Sequence, residues 1–309
     1  MKPDASAEVA ARCASIRKFR PAARRGVRTG PSAFEQPGGE TKNKAMRESD
    51  LKFTKKSLEL IYEKFNRREY VHPDPLEFLY RYADPAEREI VGLMASSLAY
   101  GRVNQILKSV EEALGRMEPA PRIFIRNSTP AVIRKRFEGF KHRFASGSDM
   151  AGFLIGVKSV IRDHGSLKDC FLSHYEEADE SLLPAAEKFV SEITCVFDGE
   201  CCHLAPSPEK GSACKRLNLF LRWMVRRDDV DPGGWDELPA AKLIMPLDTH
   251  IHRLSRNVLH ITTRNQADLK AAEEITREFA TISPEDPVKY DFALTRFGIR
   301  RNNTADPGL

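Results

Sequence analysis

The chain has 309 residues, 41% of them hydrophobic, enough for a sizeable core in one large domain or two modest ones. The net charge of +5 is misleading: residues 1–45 hold ten Lys/Arg against four acids, so the rest of the chain is about neutral and global basicity implies no polyanion partner. No apolar run approaches the roughly 20 residues of a membrane span. Six cysteines without a CxxC pair read as reduced thiols. The expectation is a cytoplasmic monomer with no membrane contact, no metal and no cofactor.

Residues 1–48 are rich in Arg, Ala, Gly and Pro and lack a sustained apolar period, so they read as a disordered basic extension. Three explanations fit it: an organelle-targeting segment, an arm that grasps nucleic acid, or residues upstream of a start at Met46. Residues 49–309 are expected to form an all-α domain. Phe53, Leu58, Ile61 and Phe65 recur at helical spacing, and a short helix follows at Leu76, Phe78 and Leu79. Asp84-Pro85 then opens the helix PAEREIVGLMASSLAY, whose small residues suit a helix buried on most sides. It breaks at Gly101, and VNQILKSVEEALGRM restarts at once. The five Lys/Arg of the basic-aromatic run RKRFEGFKHRF fit a surface groove or, better, a solvated helical face. Further helices are expected over 150–163, 166–178 and 182–197, and nowhere does the alternation of a sheet appear.

Residues 211–256 carry the chemistry. Gly211-Ser212 supplies a turn and an N-cap for KRLNLFLRWMVRR, so the first free amides of that helix would face a phosphate. Six cations and no acid lie between Lys210 and Arg227. Lys215, Leu219 and Arg222 share one face, while Leu217, Phe220, Leu221 and Met224 bury the other. After the turn-rich DDVDPGGW, an apolar run ends at Asp248, which opens a helix from Thr249 to Leu259. Taken alone, Asp248 is an N-cap. Trp223 and Trp235 read as core or hinge residues, Tyr290, Asp291 and Phe292 as closing the bundle, and Asp286-Pro287 as the start of the last helix.

A hairpin turn followed by a lysine, then an aspartate in a PLDTHI helix start, resembles the helix-hairpin-helix DNA glycosylases. The 33 positions between Lys215 and Asp248 are similar to the separation in the archaeal 8-oxoguanine glycosylases, and Phe220, Met224 and the IMPLD approach echo the same branch. EIVGLMASSLAYGRVNQI looks like that superfamily's buried helix and wedge-bearing turn, and DPVKYDFALTRFGI like its closing helix. From about residue 50 to 300 the chain also resembles an uncharacterised bacterial family carrying RLNLFLRWMVR, PLDTHI and DPVKYDFAL. The chain departs from the glycosylase pattern in its single hairpin glycine (PSPEKGS), in Arg216 after the lysine, and in having no cysteine after Cys214.

The resemblance implies a bilobal helical bundle that acts in base-excision repair on damaged double-stranded DNA, 8-oxoguanine among the candidate lesions. Lys215 would be the nucleophile and Asp248 the carboxylate beside the sugar cation. Lys210, Gly211, Ser212, Arg216, Arg222 and Arg226 would bind nucleic acid, with Tyr100, Arg102 and Asn104 as wedge and pocket. The rival reading is a module on the same scaffold that binds DNA or RNA without cutting it. A remote third takes DTHIH as a metal-dependent hydrolase motif with His250 and His252 as ligands, although positions two apart on a helix do not face one another.

Overall fold

The computed structural model describes residues 55–195, 203–208, 211–257 and 259–303, with side chains as far as 298. The extension at 1–48 and Lys210 lie outside the described residues. The described chain is predominantly helical, as the periodicity expects, and among the described residues no helix is long and apolar enough to cross a membrane.

Helix α1 (55–65) buries Leu58 and Phe65. A 3-10 helix, Pro75–Arg81, leads to α2 (Pro85–Ser97), which starts where expected because the Asp84 side chain accepts from the Ala86 amide and Pro85 needs no donor partner in the first turn. Helices α3 (Val103–Gly115), α4 (Pro121–Asn127) and α5 (Pro130–Arg136) follow. The run RKRFEGFKHRF is not one helical face. It ends α5, buries Phe137 and Phe140, and then forms a two-stranded hairpin of β1 (Lys141–His142) and β2 (Ala145–Ser146). Strands this short carry too few residues for alternation to show in the sequence.

Next come α6 (Gly147–His164), α7 (Leu167–His174), α8 (Leu183–Thr194), α9 (Lys215–Val225), α10 (Thr249–Asn257), α11 (Leu269–Ala280) and α12 (Asp291–Asn303). A reciprocal capping box between Ser146 and Asp149 begins α6, and Gly165, at φ 93°, ends it. The start of α7 is held by Ser166 and by a buried carboxylate from α2: Glu89 accepts from the Leu167 and Lys168 amides at 2.8 and 3.0 Å. Burial pushes the Glu89 carboxyl up to about 7.

The core is aromatic where α7, α8 and α9 meet. The Trp235 ring lies 5.1 Å from Phe220, 5.4 Å from Phe171 and 6.4 Å from Phe189, and Phe189 stacks on Phe220. Trp223 and Trp235 are therefore core residues, as expected. Helices α6 and α8 approach so closely that a Cβ on Gly156 would sit 2.0 Å from the Ile193 carbonyl oxygen. Backbone cannot yield there as a flexible side chain can. Gly156→Ala is therefore expected to lower unfolding stability by about 1–3 kcal/mol, read as a shifted urea midpoint at constant m-value; a change below about 0.5 kcal/mol would contradict this packing.

Candidate nucleophile and carboxylate site

The sequence pair is a spatial pair. Lys215 Nζ, in the first turn of α9, lies 3.3 Å from Asp248 Oδ2, with side chains 37% and 24% exposed. The other carboxylate oxygen of Asp248 accepts from the amides of His250 and Ile251 at 2.9 and 2.8 Å, so Asp248 caps α10 and faces the lysine at once. The two roles use different oxygens and do not compete.

The start of α9 differs from expectation. Cys214, not Ser212, occupies the cap position; it sits in the left-handed region (φ 44°) and makes no side-chain cap bond. Ser212 Oγ instead accepts from the Cys214 amide, and the Gly211–Ser212 turn is held by backbone pairing with Asp268 and Leu269 at the head of α11. Residues 203–208, just before it, are turns and irregular backbone.

The cations divide sharply. Arg216 donates to the carbonyls of Ser97 (2.7 Å) and His203 (2.6 Å) and lies 4.9 Å over the Tyr100 ring, tying α9 to the end of α2. Arg222 and Arg226 do not face solvent as nucleic-acid contacts would. Both are buried, at 3% and 4% exposure. The guanidinium of Arg222 binds Asp231 Oδ1 and, at 2.5 Å, Asp291 Oδ2. That of Arg226 binds Asp286, Asp228 and the second oxygen of Asp231. The expected polar face of α9 therefore ends after its first turn, because carboxylates from the following loop and from α12 replace water. Asp286 correspondingly starts no helix; α12 begins at Asp291.

Two guanidiniums here meet four carboxylates, an excess of negative charge in a dry place. Burial pushes Asp291 up to about 6; Arg222 opposes the rise, Asp248 adds to it, and Lys215 opposes it weakly. Asp291 thus lies within the electrostatic reach of the surface pair, a role its position in YDFAL does not disclose.

Among the wedge and pocket candidates, Tyr100 donates its hydroxyl to the His142 carbonyl at 3.1 Å and meets that imidazole edge-on at 4.6 Å. Arg102 and Asn104 are exposed at the head of α3. Sequence reading missed Phe144, which stands 76% exposed at the tip of the β1–β2 hairpin. With Tyr100, His203 and Arg216 it lines a surface recess. The hydrolase reading of DTHIH fails on geometry: the motif opens a helix, Asp248 is engaged as described, and His250 packs so tightly on Gly298 of α12 that a Cβ there would lie 1.7 Å from its Nε2.

Two outcomes follow from these contacts. Asp248→Asn keeps a capping acceptor and should leave stability near wild type, whereas Asp248→Ala should lose about 1 kcal/mol, measured by urea unfolding. Asp291 has a native pKa above its unfolded value, so it favours folding fully below about pH 4 and loses that contribution as pH rises through about 6. Relative to Asp291→Asn, wild-type stability is expected to fall over that window by on the order of 3 kcal/mol; parallel pH profiles would contradict the assignment.

Comparison with known proteins adds one finding. No curated protein and no solved structure matches the chain. A family model does match, over residues 74–300, from the 3-10 helix before α2 to the last helix, and on that extent the chain belongs to the family described as "protein of unknown function (DUF2400)".

Proposed function

We propose that this chain is a base-excision DNA glycosylase with lyase activity, built on a bilobal helix-hairpin-helix scaffold and acting on damaged double-stranded DNA. The observation that carries the reading is the 3.3 Å approach of Lys215 Nζ to Asp248 Oδ2 in a half-open position. An amine and a carboxylate side by side, within reach of solvent, suit a displacement at an anomeric carbon. The Lys215 amine attacks C1′, the glycosidic bond breaks, and the base leaves with the electron pair and takes a proton. The sugar ring then opens to an imine, and elimination expels the 3′ phosphate. On this reading Asp248 stabilises the positive charge that develops on the sugar, and such electrostatic support is usually the largest catalytic contribution. Extrusion of the base costs a few kcal/mol. The exposed Phe144 ring and the recess beside Tyr100 supply an apolar filler and a place for an extruded group.

A second reading, a protein that binds DNA or RNA without cutting it, draws on the inward-turned Arg222 and Arg226 and on the single hairpin glycine. Borohydride trapping separates the two. Duplexes carrying 8-oxoguanine, uracil or an abasic site are expected to give a covalent conjugate with wild type and none with Lys215→Gln. Asp248→Asn should keep DNA binding and lose at least about a hundredfold in nicking. Equal trapping by wild type and Lys215→Gln removes Lys215 as nucleophile, and binding without any conjugate selects the second reading.

A further inference from the structure

Helices α6, α7 and α8 bring together a set of side chains that takes no part in the Lys215–Asp248 arrangement. His164 is the last residue of α6, and the turn at Gly165 sends the chain straight into α7. Cys170 and His174 lie four apart on α7 and so share a face. Glu192, on α8, is neighbour to Ile193, whose carbonyl is the backbone pressed against Gly156. The same close approach that excludes a Cβ at Gly156 therefore delivers Glu192 to the end of α6.

The resulting geometry is tight. His164 Nε2 lies 2.7 Å from Glu192 Oε2, His174 Nε2 lies 2.7 Å from Oε1, and Cys170 Sγ lies 3.8 Å from Oε2. One ligand atom each from His164, Cys170 and Glu192 falls within 4.8 Å of the other two. Cys170 is fully buried, while His164 and Glu192 are 23% and 31% exposed. A carboxylate clamped by two imidazoles accounts for three of these residues as hydrogen-bonded structure. The thiol adds a longer hydrogen bond to Oε2, the oxygen that His164 also holds, so nitrogen, sulfur and oxygen converge on one point.

We propose that His164 Nε2, Cys170 Sγ and Glu192 Oε2 bind a divalent transition metal of the zinc class, with His174 holding the second oxygen of Glu192 as an outer-shell partner. Nitrogen, thiolate and carboxylate together select zinc-like ions over magnesium or calcium. Zinc bond lengths set neighbouring ligand atoms about 3.3–3.6 Å apart in a tetrahedron. The Cys170–Glu192 separation already approaches this, and the His164–Glu192 pair opens by about 0.6 Å when the ion replaces the shared proton. The Cys170 thiol proton passes to solvent on binding, and His164 binds as the neutral imidazole through Nε2 with its one ring proton on Nδ1. Three protein ligands leave a fourth position for water, reached from the exposed side of His164 and Glu192. Bound metal would staple three helices at one point, so loaded protein gains stability by mass action.

The test uses the full chain, stripped with chelator and titrated with Zn(II) against a competing chelator and, separately, with Co(II). Wild type is expected to take one equivalent, to unfold at a higher temperature when loaded, and to show thiolate charge-transfer and tetrahedral Co(II) bands. Cys170→Ser should abolish the charge-transfer band, and Glu192→Gln, at a partly exposed position that tolerates change, should weaken binding at least about tenfold. His174→Asn should weaken it about 10–100-fold and keep the band. The double variant Cys201→Ser/Cys202→Ser should behave as wild type. The proposal is overturned if wild type takes up no Zn(II), if the band survives Cys170→Ser, if Glu192→Gln binds as wild type does, or if the band disappears with Cys201 and Cys202.

Discussion

The arrangement around the candidate site depends on one buried cation. Arg222, in the last turn of α9, binds Asp231 from the following loop and Asp291 at the head of α12. Breaking a buried ion pair by removing one partner costs about 3–5 kcal/mol, so this contact fixes how α12 lies on α9. Helix α12 in turn seats α10, because only a glycine at 298 leaves room for the His250 ring. Seated there, α10 presents Asp248 at its first turn, directly against Lys215 at the first turn of α9. A chain of three contacts thus carries the geometry from a dry ionic cluster to the surface pair.

Much of the fold could be read from local signals. Asp84-Pro85, the 3.6-residue period of α2, α3, α6 and α8, and Asp248 as a cap were legible because caps and amphipathic stripes act within one or two turns. The Lys215–Asp248 pairing spans 33 positions, and only the resemblance of both flanks to one superfamily connected them. Arg222 and Arg226 were misread for the opposite reason. Their spacing is that of a solvated cationic face, and nothing near them says that Asp286 and Asp291, some 60 to 69 positions away, would come to neutralise them. Ser212 was misread because its side chain serves a turn two residues before the cap position at Cys214. The His164, Cys170, His174 and Glu192 cluster gave no sequence signal, since it has no CxxC and is assembled by helix packing.

The neutral body of the chain and the inward turn of two arginines leave a modest cationic surface at the start of α9. On the proposed base-excision reading, this places more weight on shape and stacking, at the Phe144 hairpin and the Tyr100 recess, and less on phosphate neutralisation. Binding to duplex DNA should accordingly show a shallow salt slope. The buried excess of carboxylates around Arg222 and Arg226 also places a titrating group, Asp291, within the electrostatic reach of the Lys215–Asp248 pair, coupling the charge of that pair to the stability of the helices that form it.

Reduction of an abasic-site conjugate with borohydride, followed by proteolysis and mass mapping of the modified peptide, identifies the amine that reacts. The deoxyribose-derived mass is expected on the peptide that contains Lys215. A conjugate mapped to another lysine or to the N-terminal amine, or no conjugate at all under conditions where the protein binds the duplex, would contradict it.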